Sequence, residues 1–264
     1  ITMFSGVPTM MWDMLRGAKA TGADLSSLRN IATGGQALPV NLLDEIRTAC
    51  PAAVMGTGYG MTETSGSVAM AVGDDFIRNR AAAGRVSSMI DMRIEGADGE
   101  EMPLGEPGEI VVRGPVTMLG YWDNPEETKK TLSEDGWLKT GDVGYVDAEG
   151  YLFIVDRKKD MVISGGENIY CAEVERIIGE MAGVSECATF GIADDRLGEL
   201  LVAVLGPCEN LSADDIIENV AAKLARYKAP AAVAFYGAPL PRNDVGKIEK
   251  AELRNQWPEL TKGL

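Results

Sequence analysis

Asp156-Arg157-Lys158-Lys159-Asp160-Met161-Val162-Ile163-Ser164-Gly165-Gly166-Glu167-Asn168 sets two chemically unlike devices side by side. Asp156 to Asp160 is a run of charges, two acids around three bases. Ser164-Gly165-Gly166 is a small-residue turn that a ligand or another backbone can approach closely. A short apolar strand, Met161 to Ile163, joins them. Stability alone gives little reason for a charged pivot, a strand and a glycine turn in that order. The charged cluster is also where the pattern of the chain changes, so it reads as a domain boundary.

Upstream of the cluster two patterns follow each other. The opening Ile1 to Val7 reads as the tail of a strand. Pro8 suits the first turn of a helix, with Met11, Met14 and Leu15 on one face. A second strand, Ile31 to Thr33, ends at Gly34-Gly35, and Pro39 starts a helix through Leu42, Leu43 and Ile46. A third strand near Ala52 to Met55 runs into a glycine turn. Strand alternating with helix implies a mostly parallel sheet, with ligands at the carboxyl ends of its strands. From Gly84 to Val155 strand-like runs are broken by turns such as Asp98-Gly99 and Glu149-Gly150, which reads as an antiparallel sheet or small barrel. Beyond Arg157 the pattern is mixed: Ala172 to Met181 is amphipathic, and Ser212-Ala213-Asp214-Asp215 is a capping signature for a helix carrying Ile216, Ile217, Val220 and Leu224. The expected architecture is therefore α/β: a partial parallel α/β subdomain over 1–83, a β-barrel-like subdomain over 84–156 and an α+β domain over 157–264.

At 264 residues and 45% hydrophobic content the chain has enough apolar material for one large or two ordinary domains. No stretch approaches the roughly 20 apolar residues of a membrane span. No basic-then-apolar leader opens the sequence, so the cytoplasm is the default location. Cys50, Cys171, Cys187 and Cys208 are far apart and form no Cys-x-x-Cys pair, which favours reduced structural thiols. The net charge of -15 argues against general nucleic-acid binding. Residues 1–156 carry 12 basic and 23 acidic side chains and residues 157–264 carry 13 and 17, so cations for an anionic nucleotide are richer in the second part. There is no histidine, which excludes serine–histidine triads, histidine general bases and most zinc sites.

Four stretches carry chemistry. In Gly58-Tyr59-Gly60-Met61-Thr62-Glu63-Thr64 a flat ring can lie close to the glycines, Tyr59 can stack on a base, Thr62 can donate to a phosphate and Glu63 can help hold magnesium. Equally, the stretch reads as a plain strand-to-helix turn. In Gly136-Trp137-Leu138-Lys139-Thr140-Gly141-Asp142, a carboxylate after a Thr-Gly turn suits a pair of ribose hydroxyls; a hairpin with a capping aspartate is the more economical reading. In the charged cluster Arg157 suits a sugar or phosphate and Lys159 a pivot, against a solvated charge run between domains. In Pro241-Arg242-Asn243-Asp244-Val245-Gly246-Lys247-Ile248-Glu249-Lys250, Lys247 follows a glycine and can reach into a cleft as a point charge; most lysines simply face solvent.

Taken together and in this order, the four stretches resemble the second half of the adenylate-forming enzymes: acyl-CoA synthetases, adenylation domains of peptide synthetases, and firefly luciferase. Phe4-Ser5-Gly6-Val7-Pro8-Thr9 and Gly34-Gly35 are similar to the family's acid-pocket strands, and Arg113-Gly114 with Gly120-Tyr121 to a further motif. The resemblance covers essentially the whole chain. It implies a carboxylic acid that attacks the α-phosphate of ATP, giving an acyl-adenylate and pyrophosphate, then a thiol, usually coenzyme A, that displaces AMP. It implies Tyr59 on adenine, Thr62 at phosphate, Glu63 at magnesium, Asp142 and Arg157 at ribose, and Gly34 and Gly35 beside the acyl group and adenine, along a nucleotide site that includes Gly58 and Gly60. It implies Lys247 between the carboxylate and the α-phosphate, and Lys159 as the hinge of a mobile C-terminal domain that alternately delivers Lys247 and the Ser164-Gly165-Gly166 turn, past which pantetheine runs.

The sequence departs from the family pattern in places. Gln36 stands where alanine usually follows the paired glycines, and Cys171 replaces the proline after Asn-Ile-Tyr. The family's Ser/Thr/Gly-rich phosphate loop is not among these residues. The chain is therefore read as a C-terminal portion whose partner is the missing N-terminal portion, inactive in adenylation by itself. An acid–CoA ligase for a fatty or other apolar acid is the leading expectation. An adenylation domain that loads a carrier protein is disfavoured by Ser5, where that class places an aspartate after the phenylalanine. A non-catalytic nucleotide- or CoA-binding relative is the alternative from another class, and luciferase-type oxidation a remote one.

Overall fold

The computed structural model describes residues 1–34, 40–208, 210–243 and 246–262. The chain divides into two compact units, Ile1–Ile154 and Val155–Leu264. Strand β1 (Met3–Gly6) leads into helix α1 (Pro8–Thr21), whose proline occupies the first turn, where its missing N–H has no partner to lose. Strand β2 (Asn30–Gly34), helix α2 (Val40–Ala49) and strand β3 (Val54–Met61) repeat the alternation. The run β1-β2-β3 is parallel. Met11 of α1 and Leu42, Leu43 and Ile46 of α2 pack on Ile31 and Met55 of the strands in one core. Each of these side chains contributes roughly 1.5–3 kcal/mol by leaving water.

Strand β4 (Gly66–Val72) returns antiparallel to β3. A short helix α3 (Asp74–Arg78) follows, then strands β5 (Gly84–Val86), β6 (Asp91–Glu95) and β7 (Gly108–Arg113). Helix α4 (Pro125–Thr131) precedes strands β8 (Leu138–Val146) and β9 (Tyr151–Arg157). The antiparallel strands expected between Gly84 and Val155 are present. They are continuous with the parallel strands in one nine-stranded sheet of order β1-β2-β3-β4-β5-β9-β8-β7-β6. Residues 1–83 and 84–154 thus share a sheet and a compact unit. Val68, Ala69, Ile94, Ile110, Val112, Leu138 and Leu152 form a second core of this sheet, with Tyr59 and Met61 at its margin.

The second unit contains strands β10 (Val162–Ser164) and β11 (Glu167–Ile169), helix α5 (Cys171–Gly179), strands β12 (Cys187–Asp194) and β13 (Gly198–Leu205), helix α6 (Ala213–Lys223), strand β14 (Ala232–Phe235) and helix α7 (Lys250–Leu260). Strand β13 lies at its centre, antiparallel to β12 along its length and parallel to β14. Its side chains alternate: Leu201, Ala203 and Leu205 face the core of α5 and α6, whereas Val202 and Val204 face Leu253 and Trp257 of α7. The continuous apolar run 200–205 follows from a strand covered on both faces. Ser212 caps α6 as its sequence predicts, accepting from Asp215 N at 3.2 Å while Asp215 Oδ2 accepts from Ser212 N at 2.8 Å.

Candidate active site

The glycine turn expected at Gly58-Tyr59-Gly60 is strand: all three residues lie in β3. The reason is local. The β3–β4 register shifts between Tyr59 and Gly60, and β4 passes so close that a Cβ on Gly60 would sit 1.9 Å from the Gly66 carbonyl oxygen. The glycine therefore admits a neighbouring backbone rather than bending the chain. The turn comes later, as a single 3₁₀ turn at Thr62–Thr64 closed by Ser65 in the left-handed region at φ 53°. Buried Thr64 fixes it: its Oγ1 accepts from Met61 N at 3.0 Å and lies 2.8 Å from Gly66 O. Thr62 is exposed beside it. Half-buried Glu63 is held at two points, its carbonyl accepting from Met118 N and its Oε1 from the Tyr121 hydroxyl, both at 2.8 Å. Burial, and then the hydrogen bond to Glu63, push the Tyr121 phenol above its ordinary range.

Asp142 also lies within a strand, β8, and not in the hairpin turn expected there. Between the pairs Glu109↔Val143 and Val111↔Lys139 the ladder is irregular, with Thr140, Gly141 and Asp142 facing the single residue Ile110. Thr140 Oγ1 donates to Ile110 O at 2.7 Å and accepts from Asp142 N at 3.1 Å, so the bulge is pinned by its own threonine. Gly141 takes φ 70° there. The bulge re-aims Asp142, which is 6% exposed, and its Oδ2 accepts from the Tyr59 hydroxyl at 2.7 Å. Three strands separate β3 from β8 in the sheet, so the sheet curls to bring these residues together. Gly34 pairs with Gly58 in register at the end of β2, and joins the same strand ends. Gly35, like Gln36, falls outside the described residues.

In the second unit Asp160 N and Met161 N both donate to Arg157 O, at 2.9 and 3.1 Å, so the charged cluster is a tight turn. Arg157 and Lys159 are exposed on it. Asp156 is buried and accepts from Arg157 N at 2.7 Å and from Ala172 N at 3.1 Å, which caps the start of α5. Burial pushes its carboxyl up, against those two hydrogen bonds. Cys171 takes the first position of α5, where a proline also fits, and its Sγ donates to Asp160 O at 3.0 Å. Ser164 pairs with Glu167 across a two-residue turn, Gly165-Gly166, with φ 60° and 86°. Two left-handed residues in a two-residue hairpin turn are what glycine permits. Lys247 is exposed, and its N–H donates to Asn243 Oδ1 at 3.0 Å.

The first unit thus gathers Gly34, Gly58, Tyr59 and Asp142, with Glu63 on the adjoining turn. Two residues that hold this group were not singled out from the sequence as site residues, Thr64 and Tyr121. Tyr121 had a signal, since it belongs to the Gly120-Tyr121 pair; Thr64 had none beyond ending its motif. Arg113, also marked in the sequence, is engaged in the surface of β7, with Nη2 2.8 Å from Asp91 Oδ2 and its guanidinium 4.7 Å from the Trp137 ring centre. Among the described residues no three His, Cys, Asp or Glu side chains cluster as a metal site. A single carboxylate with one oxygen tied to a tyrosine fits magnesium, which takes one or two protein carboxylates and completes its shell with phosphates and water. Among the described residues no helix is long and apolar enough to cross a membrane.

Residues 1–122 match the model of the AMP-binding enzymes and residues 173–247 that of the AMP-binding enzyme C-terminal domain. A feruloyl-CoA synthase of Amycolatopsis is 42% identical over 97% of the chain and 52% of its own length. An indoleacetate–CoA ligase of Aromatoleum aromaticum is 41% identical over 96% of the chain and 49% of its own. The structure of o-succinylbenzoate CoA synthetase from Bacillus subtilis, in complex with its acyl-adenylate intermediate, superimposes with a TM-score of 0.82 at 36% identity, covering 97% of this chain and 51% of that one. The same synthetase has been solved in complex with ATP and a magnesium ion. The chain spans about half the length of the curated relatives it matches.

Proposed function

We propose, because the chain belongs to the AMP-binding enzyme family, that it carries the nucleotide-binding strand ends and the mobile lobe of an AMP-forming acid–CoA ligase, acting in the cytoplasm. The observation that carries this reading is the 2.7 Å bond between Tyr59 and Asp142. It sets an aromatic ring and a carboxylate together near the carboxyl end of β3, in an α/β sheet of the kind that binds nucleotides at its strand ends. In this reading Tyr59 stacks on adenine, Asp142 and Arg157 hold the ribose hydroxyls, Gly34, Gly35, Gly58 and Gly60 border the site, and Thr62 meets phosphate. Glu63 holds magnesium, which neutralises phosphate charge when bound.

The first half-reaction sets an anionic carboxylate on an anionic phosphate. Its carboxylate oxygen bonds to the α-phosphorus as the bond to pyrophosphate breaks. Catalysis is then mainly positioning and charge neutralisation, and Lys247 supplies a cation to both groups. In the second half-reaction a coenzyme A thiolate attacks the acyl carbon and AMP leaves with the electron pair of the C–O bond. The Ser164-Gly165-Gly166 turn gives pantetheine a path along bare backbone. Lys159 is the pivot of a lobe that alternates between the two poses, a role its exposure on a tight turn supports.

The substrate proposed is a fatty or other apolar acid, in keeping with relatives named for ferulate, indoleacetate and long-chain fatty acids. Ser5, which follows Phe4, weighs against an amino acid. The 264 residues alone are proposed to be inactive in adenylation, because no phosphate-loop sequence is among them. ATP–pyrophosphate exchange by the full-length protein carrying this sequence, run with fatty, aryl and amino acids, tests the reading. Exchange driven by an apolar acid and lost in Asp142→Ala supports it. Exchange indifferent to Asp142, or driven solely by amino acids, overturns it.

A further inference from the structure

Lys247 is useful to a phosphate only if its backbone is held still, and the structure shows what holds it. Arg242 and Ile248 form an isolated antiparallel bridge. Asn243 N donates to Lys247 O at 2.9 Å, Gly246 N donates to Asn243 O at 2.8 Å, and Glu249 N donates to Pro241 O at 2.8 Å. These bonds close the segment on itself, while Leu240 and Ile248 pack against the core of β12, β13 and α7. A polar fastening is added by Glu186, the residue before β12, whose side chain is 14% exposed. Its Oε1 accepts from Leu240 N at 2.7 Å and its Oε2 from Arg242 Nη2 at 2.6 Å. The other arm of the same guanidinium, Nη1, donates to Gly246 O at 2.8 Å, the carbonyl next to Lys247. One planar fork therefore links the edge of the central sheet to the backbone that carries Lys247.

We propose that Glu186 and Arg242 are positioning residues for Lys247, acting in the acyl-adenylate-forming step and not in thioester formation; this rests on the role given to Lys247 above. A guanidinium can span a carboxylate and a carbonyl because its donors are fixed in a plane, and a lysine at the same place reaches one or the other. Misplacement of a catalytic group by about 1 Å costs on the order of 100-fold in rate.

The test uses Glu186→Gln and, as a second variant that keeps the charge, Arg242→Lys, each alone and combined with Lys247→Ala in the full-length protein. The expected result is a fall of about tenfold or more in kcat for ATP–pyrophosphate exchange with little change in KM. Thioester formation from supplied acyl-adenylate stays intact, and the double variants are no worse than Lys247→Ala alone. In the 264-residue chain, amide hydrogen exchange at Asn243, Gly246 and Lys247 accelerates while that of β13 does not. Exchange activity within twofold of the parent, additive losses in the double variants, or equal loss of both half-reactions overturns the proposal. If Lys247→Ala itself leaves pyrophosphate exchange intact, the role of Lys247 fails first and this inference goes with it.

Discussion

The Tyr59 hydroxyl donates to Asp142 Oδ2 at 2.7 Å across 83 residues of chain, joining two strands that are not neighbours in the sheet. A hydrogen bond to a charged acceptor is worth about 1.5–3 kcal/mol. Tyr59→Phe keeps the ring and removes the donor, so the unfolding transition of the first unit should fall by about that amount in urea. The double variant Tyr59→Phe/Asp142→Asn should cost less than the sum of the two single variants, because the two residues share this hydrogen bond. Additive losses would show that the two residues are not coupled through this bond.

Lys247→Ala in the full-length protein should reduce acyl-adenylate formation far more than thioester formation from supplied acyl-adenylate. Pre-steady-state measurement of the two half-reactions checks this. Equal losses would remove Lys247 from the phosphate.

The Gly165-Gly166 turn should fail differently. Each residue has a positive φ, 60° and 86°, and a side chain there costs roughly 1–2 kcal/mol. Gly166→Val should slow thioester formation by about tenfold or more through misplacement of the turn, leaving pyrophosphate exchange near the parent rate. Loss of exchange with thioester formation intact would reverse the assignment of the two faces.

A half-buried ion pair makes a pH-dependent prediction. Lys250 Nζ lies 2.8 Å from Glu175 Oε1, which also accepts from Thr189 N at 2.7 Å. Burial pushes the Glu175 carboxyl up, with Lys250 and the Thr189 amide working against it. Lys250→Met leaves that part-buried carboxylate without its cation and should cost up to about 3 kcal/mol at pH 7, less than breaking a fully buried pair. Since the folded carboxyl binds its proton more tightly than the unfolded one, its contribution is largest at low pH and is lost as pH rises through the folded value. The gap between variant and parent should therefore narrow as pH falls from 7 towards 5. A gap that widens on acidification would contradict the burial of Glu175.

The thiols offer a chemical check. Burial pushes both Cys171 and Cys187 up to about 12, so neither is a thiolate at neutral pH. Iodoacetamide at pH 8 should leave buried Cys171 unmodified and half-buried Cys187 slow to react in the folded chain, and alkylate both in urea. Raised thiol values stabilise the fold below the ordinary value of 9.0, and this contribution is lost as pH climbs towards 12. Rapid labelling of folded Cys171 would place it elsewhere than against Asp160.

Much of the fold is legible residue by residue. Pro8 and the Ser212–Asp215 box mark helix starts because a missing N–H and a capping oxygen act over a few residues. Gly165-Gly166 is a turn for the same local reason. Gly60 misleads because glycine answers two needs, a bend and a close approach, and the need here comes from β4. Asp142 misleads likewise: Thr-Gly-Asp reads as a hairpin turn, but opposite Ile110 it forms a bulge within a strand.

The sequence by itself determined where charge, hydroxyl and glycine are grouped and the alternation of strand and helix, since these are properties of single residues and short windows. Only the tertiary structure decided that Tyr59 meets Asp142, that Tyr121 holds Glu63, and that Glu186 ties Arg242 to the backbone of Lys247. Those meetings join positions 56 to 83 residues apart. The curl of a sheet and the course of its neighbouring strands set them, and no local pattern encodes either.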